Sequence, residues 1–287
     1  MSLFVRAILP SSPIAALQSL PNCTSACCPR PATLWQRWWA RREGIWLRDR
    51  WYCSRECFCA GLYRCLEEAS LASPRPAAAR SRLPVGLVLL SQGDITPKQL
   101  RDALERQAAA GAGKIGECLV EMGAVTGHQV LNAVAAQQGC LVFNASEPQW
   151  LPAKLHWPEA LGRAYRAVPV FYNAAQSLLY VGFLDQVDHA FLLSIERMLR
   201  CRTQPCIVPP DSYRRQCELL ARTVERDSVE IHQRQSSVEM MRTIGNYAEQ
   251  VRAERCSIVR CGDRLWTRLE PGSGAHLDLV FRVPTPS

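Results

Sequence analysis

Cysteine is the residue type whose spacing most plainly allows chemistry in this chain. Cys23, Cys27 and Cys28 form one group, and Cys53 and Cys57 form a second within Trp51-Tyr52-Cys53-Ser54-Arg55-Glu56-Cys57-Phe58. Zinc takes four soft ligands in a tetrahedron, and two close pairs from separated loops supply them. The thiolates would also offset the local arginine charge. Cys53 and Cys57 are therefore expected to ligate together with two of Cys23, Cys27 and Cys28, while Cys59 and Cys65 belong to a helix. Half of the 14 cysteines lie between residues 23 and 65, and the others are scattered singly. Such clustering favours metal over a disulfide framework. Reduced, partly buried cysteines are the alternative.

Between the two groups runs WQRWWARREGIWLRDRWY, which allows two readings. One is a basic aromatic surface for nucleic acid or anionic lipid, with Arg on phosphates and Trp stacking. The other is a small metal module in which Trp35, Trp38, Trp39, Trp46 and Trp51 supply the core and the arginines stay solvated. Residues 1–82 hold 12 Arg and no Lys against 5 acids, so this part carries most of the net charge of +8. The Tyr-Cys-Ser-x-Glu-Cys-Phe run is similar to the second half of treble-clef or TRASH-like zinc modules.

Catalytic constellations are missing. His128, His156, His189, His232 and His276 are isolated in the sequence. Gly111-Ala112-Gly113-Lys114 looks like part of a phosphate-binding Walker A loop, G-x-x-x-x-G-K-[ST], but Ile115 stands where the magnesium-binding hydroxyl is needed and Ala108 where the first Gly is needed. The chain is expected not to be an enzyme.

A repeat organises the middle of the chain. GLVLLSQGDITPKQLRDALERQ (86–107) aligns without a gap on GECLVEMGAVTGHQVLNAVAAQ (116–137). Gly86/Gly116, Leu89/Leu119, Gly93/Gly123, Thr96/Thr126, Gln99/Gln129, Ala103/Ala133 and Gln107/Gln137 are identical. Leu90/Val120, Leu100/Val130 and Leu104/Val134 are apolar in both. Each copy predicts a short apolar helix ended by a left-handed glycine, then a threonine N-cap and a second helix with apolar residues at i, i+3 and i+4. Downstream, AYRAVPVFY and SLLYVGFLD read as strands, Asp185 or Asp188 as the cap of a helix over 187–199, QPCIVPP as a strand, and Asp211 or Ser212 as the cap of a last helix. The tail reads as a helix followed by three strands.

These residues resemble the N-terminal domain of the assembly ATPases of type II secretion and type IV pili, whose tandem module runs Arg-Leu-Gly-x-x-Leu-Val-x-x-Gly followed by a helix ending Leu-x-x-Gln. Lys114-Ile115-Gly116-Glu117-Cys118-Leu119-Val120-Glu121-Met122-Gly123 matches it closely, and Pro84-Val85-Gly86 to Gly93 less so. The continuation through residue 215 also resembles the family, with Asp185-Gln186 where the family has Asp-Pro. Some members bind cyclic di-GMP through both motifs. Carried over, that implies a ligand set of Gly86, Leu89, Leu90, Gly93, Leu100, Leu104, Gln107, Lys114, Gly116, Leu119, Val120, Gly123, Val130, Val134 and Gln137. Glycines would admit backbone to the base or phosphate, aliphatics would cover guanine, and glutamines would hydrogen-bond it. The motif arginines are replaced by Pro84 and Lys114, and Lys lacks the planar fork. The opposing reading makes Gly and Leu packing residues of a helical repeat.

The fold class expected is α+β, in four parts. Residues 1–68 form a Cys-rich zinc-type module and 69–82 a linker. Residues 83–225 form a helical tandem repeat (83–140) joined to a small α/β sandwich (150–225), and 236–287 form a small C-terminal α+β unit. The start, MSLFVRAILPSSPIAALQSL, reads as no clear signal peptide, and no apolar run is long enough for a transmembrane helix. The chain is expected to be cytoplasmic, reaching the inner membrane only through a partner. The functional expectation is an adaptor or sensor that docks to a secretion or pilus assembly protein and binds cyclic di-GMP, with a zinc-containing nucleic-acid-associated regulator as the alternative.

Overall fold

The structure, a computed structural model, describes residues 22–29, 44–71, 83–143, 156–223, 228–273 and 275–284. Trp35, Trp38, Trp39, Arg82 and most of the expected linker lie outside them. In chain order the elements are β1 (Ile45–Leu47), β2 (Arg50–Tyr52), α1 (Arg55–Leu71), α2 (Val85–Gln92), α3 (Pro97–Ala110), α4 (Ile115–Glu121), α5 (Gly127–Gln138), β3 (Leu141–Val142), α6 (Glu159–Ala164), β4 (Ala167–Asn173), β5 (Leu178–Phe183), α7 (His189–Leu199), β6 (Arg202–Ile207), α8 (Pro210–Thr223), β7 (Ser228–Ile231), α9 (Ser237–Gln250), β8 (Ala253–Cys261), β9 (Arg264–Pro271) and β10 (Leu277–Arg282). The fold class is α+β. No helix among the described residues is long and apolar enough to cross a membrane.

The chain divides into two compact units, 1–73 with 229–287, and 74–228. The first differs from the expected arrangement, in which head and tail were separate. One six-stranded sheet, ordered β2-β1-β8-β9-β10-β7, draws strands from both. The hairpin β1–β2 joins the tail through a parallel pairing of β1 with β8, Trp46 opposite Arg255 and Leu47 opposite Cys256. Helices α1 and α9 contribute to a single core on this sheet, with Phe58, Leu62 and Leu66 buried alongside Met240, Ile244, Ile258 and Phe281. Arg55 at the start of α1 clasps α9, donating to Glu249 Oε2 at 2.5 Å and Asn246 Oδ1 at 2.6 Å. The physical reason is that neither segment has enough apolar surface to close a core alone. Helix α1 also continues through 69–71, where a linker was expected.

In the second unit the repeat is built as its local chemistry dictates. Thr96 and Thr126 each cap a helix in a reciprocal box with Gln99 or Gln129, and Gly93 and Gly123 adopt positive φ at the ends of α2 and α4. The copies embrace reciprocally: α2 packs on α5, and α3 on α4. Gln107 Nε2 donates to Gly113 O and Gln137 Nε2 to Leu83 O, both at 2.7 Å. Donor and acceptor positions are each thirty residues apart, so each copy closes the start of the other.

The rest of this unit is a four-stranded sheet ordered β3-β6-β5-β4, with β5–α7–β6 a parallel crossover and β4 antiparallel to β5. Asp188, not Asp185, caps α7, accepting from Phe191 N at 2.8 Å. Helix α8 already begins at Pro210, so Asp211 and Ser212 fall in its first turn. Proline suits that place because its missing N–H would be unpaired there anyway.

Candidate ligand cavity and metal centre

Four sulfurs converge in the first unit. The ligand atoms of Cys23, Cys28, Cys53 and Cys57 all lie within 4.8 Å of one another. Cys28 Sγ is 3.4 Å from Cys53 Sγ, and Cys53 Sγ is 3.9 Å from Cys57 Sγ. A disulfide would need about 2.05 Å. Sulfurs held tetrahedrally at about 2.3 Å from zinc are separated by about 3.8 Å, so the spacing fits a metal cage instead. The sequence left three cysteines competing for two places, and a turn decides between them. Cys28 N donates to Ser25 O at 3.3 Å, which brings Cys28 back beside Cys23, while Cys27 is exposed. Cys53 follows β2 and Cys57 lies in the first turn of α1. Burial pushes the Cys53 thiol well above its ordinary range, and hydrogen bonding with Cys28 and Cys23 raises it further. A divalent cation reverses that cost by binding the deprotonated form. The four sulfurs fill a tetrahedron, so the donor set is that of a closed structural site with no open position for catalysis.

Cys59 and Cys65 lie on α1, as expected. Of the aromatic residues, Trp51 and Tyr52 are buried in the core and Trp46 is partly exposed.

The second unit has a cavity of about 1090 Å³, which is at the upper end of the usual size for small-molecule sites. Its wall includes Gln107, Lys114, Gly116, Val120, Val130, Val134 and Gln137 from the repeat residues picked out by sequence. Arg166, Leu184, Asp185, Pro209 and Pro210 of the sheet layer form the opposite wall. One ionic clasp joins the two sides: Asp185 accepts from Lys114 Nζ at 2.5 Å and pairs with Arg166 Nη1 at 2.7 Å. Arg166 is aimed by a left-handed backbone, φ 50°, just after α6. Glu117, Glu121, His128, Gln138 and Gln186 complete the polar side chains of the lining.

Eight of the fifteen repeat residues are not brought into the cavity, and all but Leu104 have a packing or capping task. Leu89 and Leu119 are fully buried with Ala103 and Ala133 in the helical core. Leu90 packs against that core, Gly93 and Gly123 are helix caps, and Leu104 is exposed away from the cavity. Gly86 and Gly116 also have a packing task. A Cβ built on Gly86 would stand 2.7 Å from Leu100 Cδ1, and one on Gly116 would stand 2.6 Å from Val130 Cγ1. Both glycines therefore let two helices of one copy approach, and Leu100 and Val130 fill the space. Gln107 and Gln137 likewise spend their amide N–H groups on the repeat's own backbone.

Arg166 escaped the sequence reading because its role depends on the fold bringing residue 166 to residue 185. The signal that was present was Asp185, which stands at a marked position of the family motif.

No protein-family model matches this chain, and no curated protein sequence does. Among solved structures, half of this chain matches the whole of the chain in the structure of MshE with cdg, at 23% identity and a TM-score of 0.37. A likeness at that score adds nothing to the chemistry of either site.

Proposed function

We propose that this protein is a non-enzymatic adaptor of a type II secretion or type IV pilus apparatus, in which the cavity is a regulatory site for cyclic di-GMP and the four cysteines hold a structural zinc ion. The observation that carries the reading is the convergence of seven repeat-motif residues on one cavity that also contains two cationic side chains, Lys114 and Arg166.

The clasp suggests how binding would be sensed. Lys114 and Arg166 both pair with Asp185. A part-exposed ion pair of this kind is worth at most about 1 kcal/mol. Hydrogen bonds from cations to phosphate are stronger than that in a partly closed site. A phosphodiester would therefore take over Lys114 and Arg166 and release Asp185, loosening the sheet layer from the second repeat copy. Glu117 and Glu121 set a charge cost on that exchange, so binding should be selective for ligands that also fill the apolar wall made by Val120, Val130 and Val134.

Zinc's part in this reading is to fix α1 and the hairpin so that the first unit presents a defined surface. Affinity capture with the full-length chain, from cells that make it, tests the adaptor assignment. Recovery of secretion or pilus components, changed in yield by added cyclic di-GMP, is the expected result. Recovery of nucleic acid alone would contradict it and favour the basic aromatic segment as the working part.

A further inference from the structure

The reciprocal repeat gives the cavity wall a twin. Shifting the copy-two lining back by thirty residues leads to the matching face of α2 and α3, which the sheet layer does not cover. Its residues are exposed: Leu83 by 65%, Leu87 by 42% and Leu104 by 49%. The corresponding copy-two positions, Gly113, Glu117 and Val134, all line the cavity, so leucine stands on this face where glycine, glutamate and valine stand on the cavity wall.

The charges differ in the same systematic way. Glu117 and Glu121 line the copy-two wall, but their twins are Leu87 and Ser91. His128 and Leu131 line it as well, and their twins are Lys98 and Arg101, both exposed. The acids of α3, Asp102 and Glu105, correspond to Asn132 and Ala135, which do not line the cavity, so they lie off this face. The bare face thus combines leucines with two cations and no carboxylate. Neither Lys98 nor Arg101 forms an ion pair among the described residues.

We propose that this copy-one face is a docking surface for an acidic amphipathic helix of a partner protein. Leu87 on α2, Leu83 just before that helix and Leu104 on α3 are the exposed apolar side chains of this face, with the half-buried Leu90 one turn beyond Leu87. An apolar face between two helices accepts the aliphatic stripe of a third. Lys98 and Arg101 select for Asp and Glu flanking that stripe, and this complementarity sets specificity and on-rate. Copy two does not offer the same surface, because its twin face lines the cavity and carries Glu117 and Glu121. The surface gives the adaptor reading its point of attachment and rests on that reading for its purpose. Its chemistry is independent of cyclic di-GMP, so failure of the nucleotide to bind leaves this prediction standing.

The test uses the intact protein and a fluorescent helical peptide with a leucine stripe flanked by glutamates, followed by anisotropy against a scrambled peptide of the same composition. Leu87→Glu is the informative variant, because Glu already occupies the twin position in copy two and the fold tolerates it there. Saturable binding of the amphipathic peptide over the scrambled one is expected, weakened about tenfold or more by Leu87→Glu. Joint substitution Lys98→Glu and Arg101→Glu should weaken it about tenfold at low salt and less at high salt. Equal affinity of the wild type and Leu87→Glu, or no preference over the scrambled peptide, would overturn the proposal. So would binding to phosphatidylserine vesicles that Leu87→Glu abolishes while the peptide stays unbound, since that would assign the face to a membrane.

Discussion

Chelating the zinc proposed at the four cysteines is expected to unfold the first unit as a whole, residues 22–29 and 44–71 together with 229–273 and 275–284, and to leave the second unit folded. The magnitude follows from two scales. Structural zinc contributes about 10–16 kcal/mol of apparent binding energy in small zinc modules. A domain's entire net stability is about 5–15 kcal/mol. Losing the first is enough to exhaust the second. The loss would spread because Cys53 and Cys57 share a buried core with Phe58 and Leu62 of α1, Met240 and Ile244 of α9, and Ile258 and Phe281 of the sheet. Hydrogen exchange reads it directly: amides of β8, β9 and β10 lose protection on chelation while those of α2–α5 keep theirs. Cys53→Ser should behave like the chelated protein, and Cys27→Ser like the wild type, since Cys27 is exposed and outside the sulfur cluster. If only residues 22–29 and 44–52 lost protection, the metal would be a local clip and not the staple of the unit.

The next largest effect is expected at Asp278. Its carboxylate accepts two hydrogen bonds from Arg268, Nε to Oδ1 at 2.8 Å and Nη2 to Oδ2 at 2.7 Å, across a registered pair of β9 and β10. Both side chains are almost wholly buried, and the guanidinium carbon lies 5.0 Å from the centre of the Trp266 ring. Asp278→Ala strands a cation in that interior, for which a loss of about 3–5 kcal/mol is expected. Arg268→Met combined with Asp278→Leu removes both charges and should recover much of the loss, because burying the pair is itself costly. Urea unfolding of the metal-loaded protein measures both. A single variant that costs less than about 1 kcal/mol would mean that the pair is hydrated and not buried as described.

What could be read from the sequence was what is decided locally. Threonine caps, glycine helix ends and the thirty-residue offset depend on neighbours in the chain, and all of them recur in the structure. The cysteine cluster was legible as a group, but the choice of Cys28 over Cys27 depended on a turn between Ser25 and Cys28 that spacing does not reveal. The union of head and tail was hidden because β1 meets β8 across about two hundred residues, and only three-residue strands carry the head's share. A strand so short has no periodicity to read. The glycines stayed open between two readings for another reason. A glycine at a close helix approach and a glycine beside a ligand have the same signature in sequence, and only Leu100 and Val130 standing over Gly86 and Gly116 tell them apart. Lys114 was seen as a weak substitute for an arginine, and the structure adds a real arginine, Arg166, from another element on the same cavity.

Calorimetric titration of cyclic di-GMP into the intact protein tests the central claim most directly. The clasp makes a prediction with two signs: Asp185→Ala frees Lys114 and Arg166 and should tighten binding, whereas Lys114→Ala should weaken it, each by about fivefold or more for a charge-assisted contact. Saturable heat with the affinity order Asp185→Ala, wild type, Lys114→Ala is the result expected. No heat from any of the three proteins at high micromolar nucleotide would contradict the regulatory site.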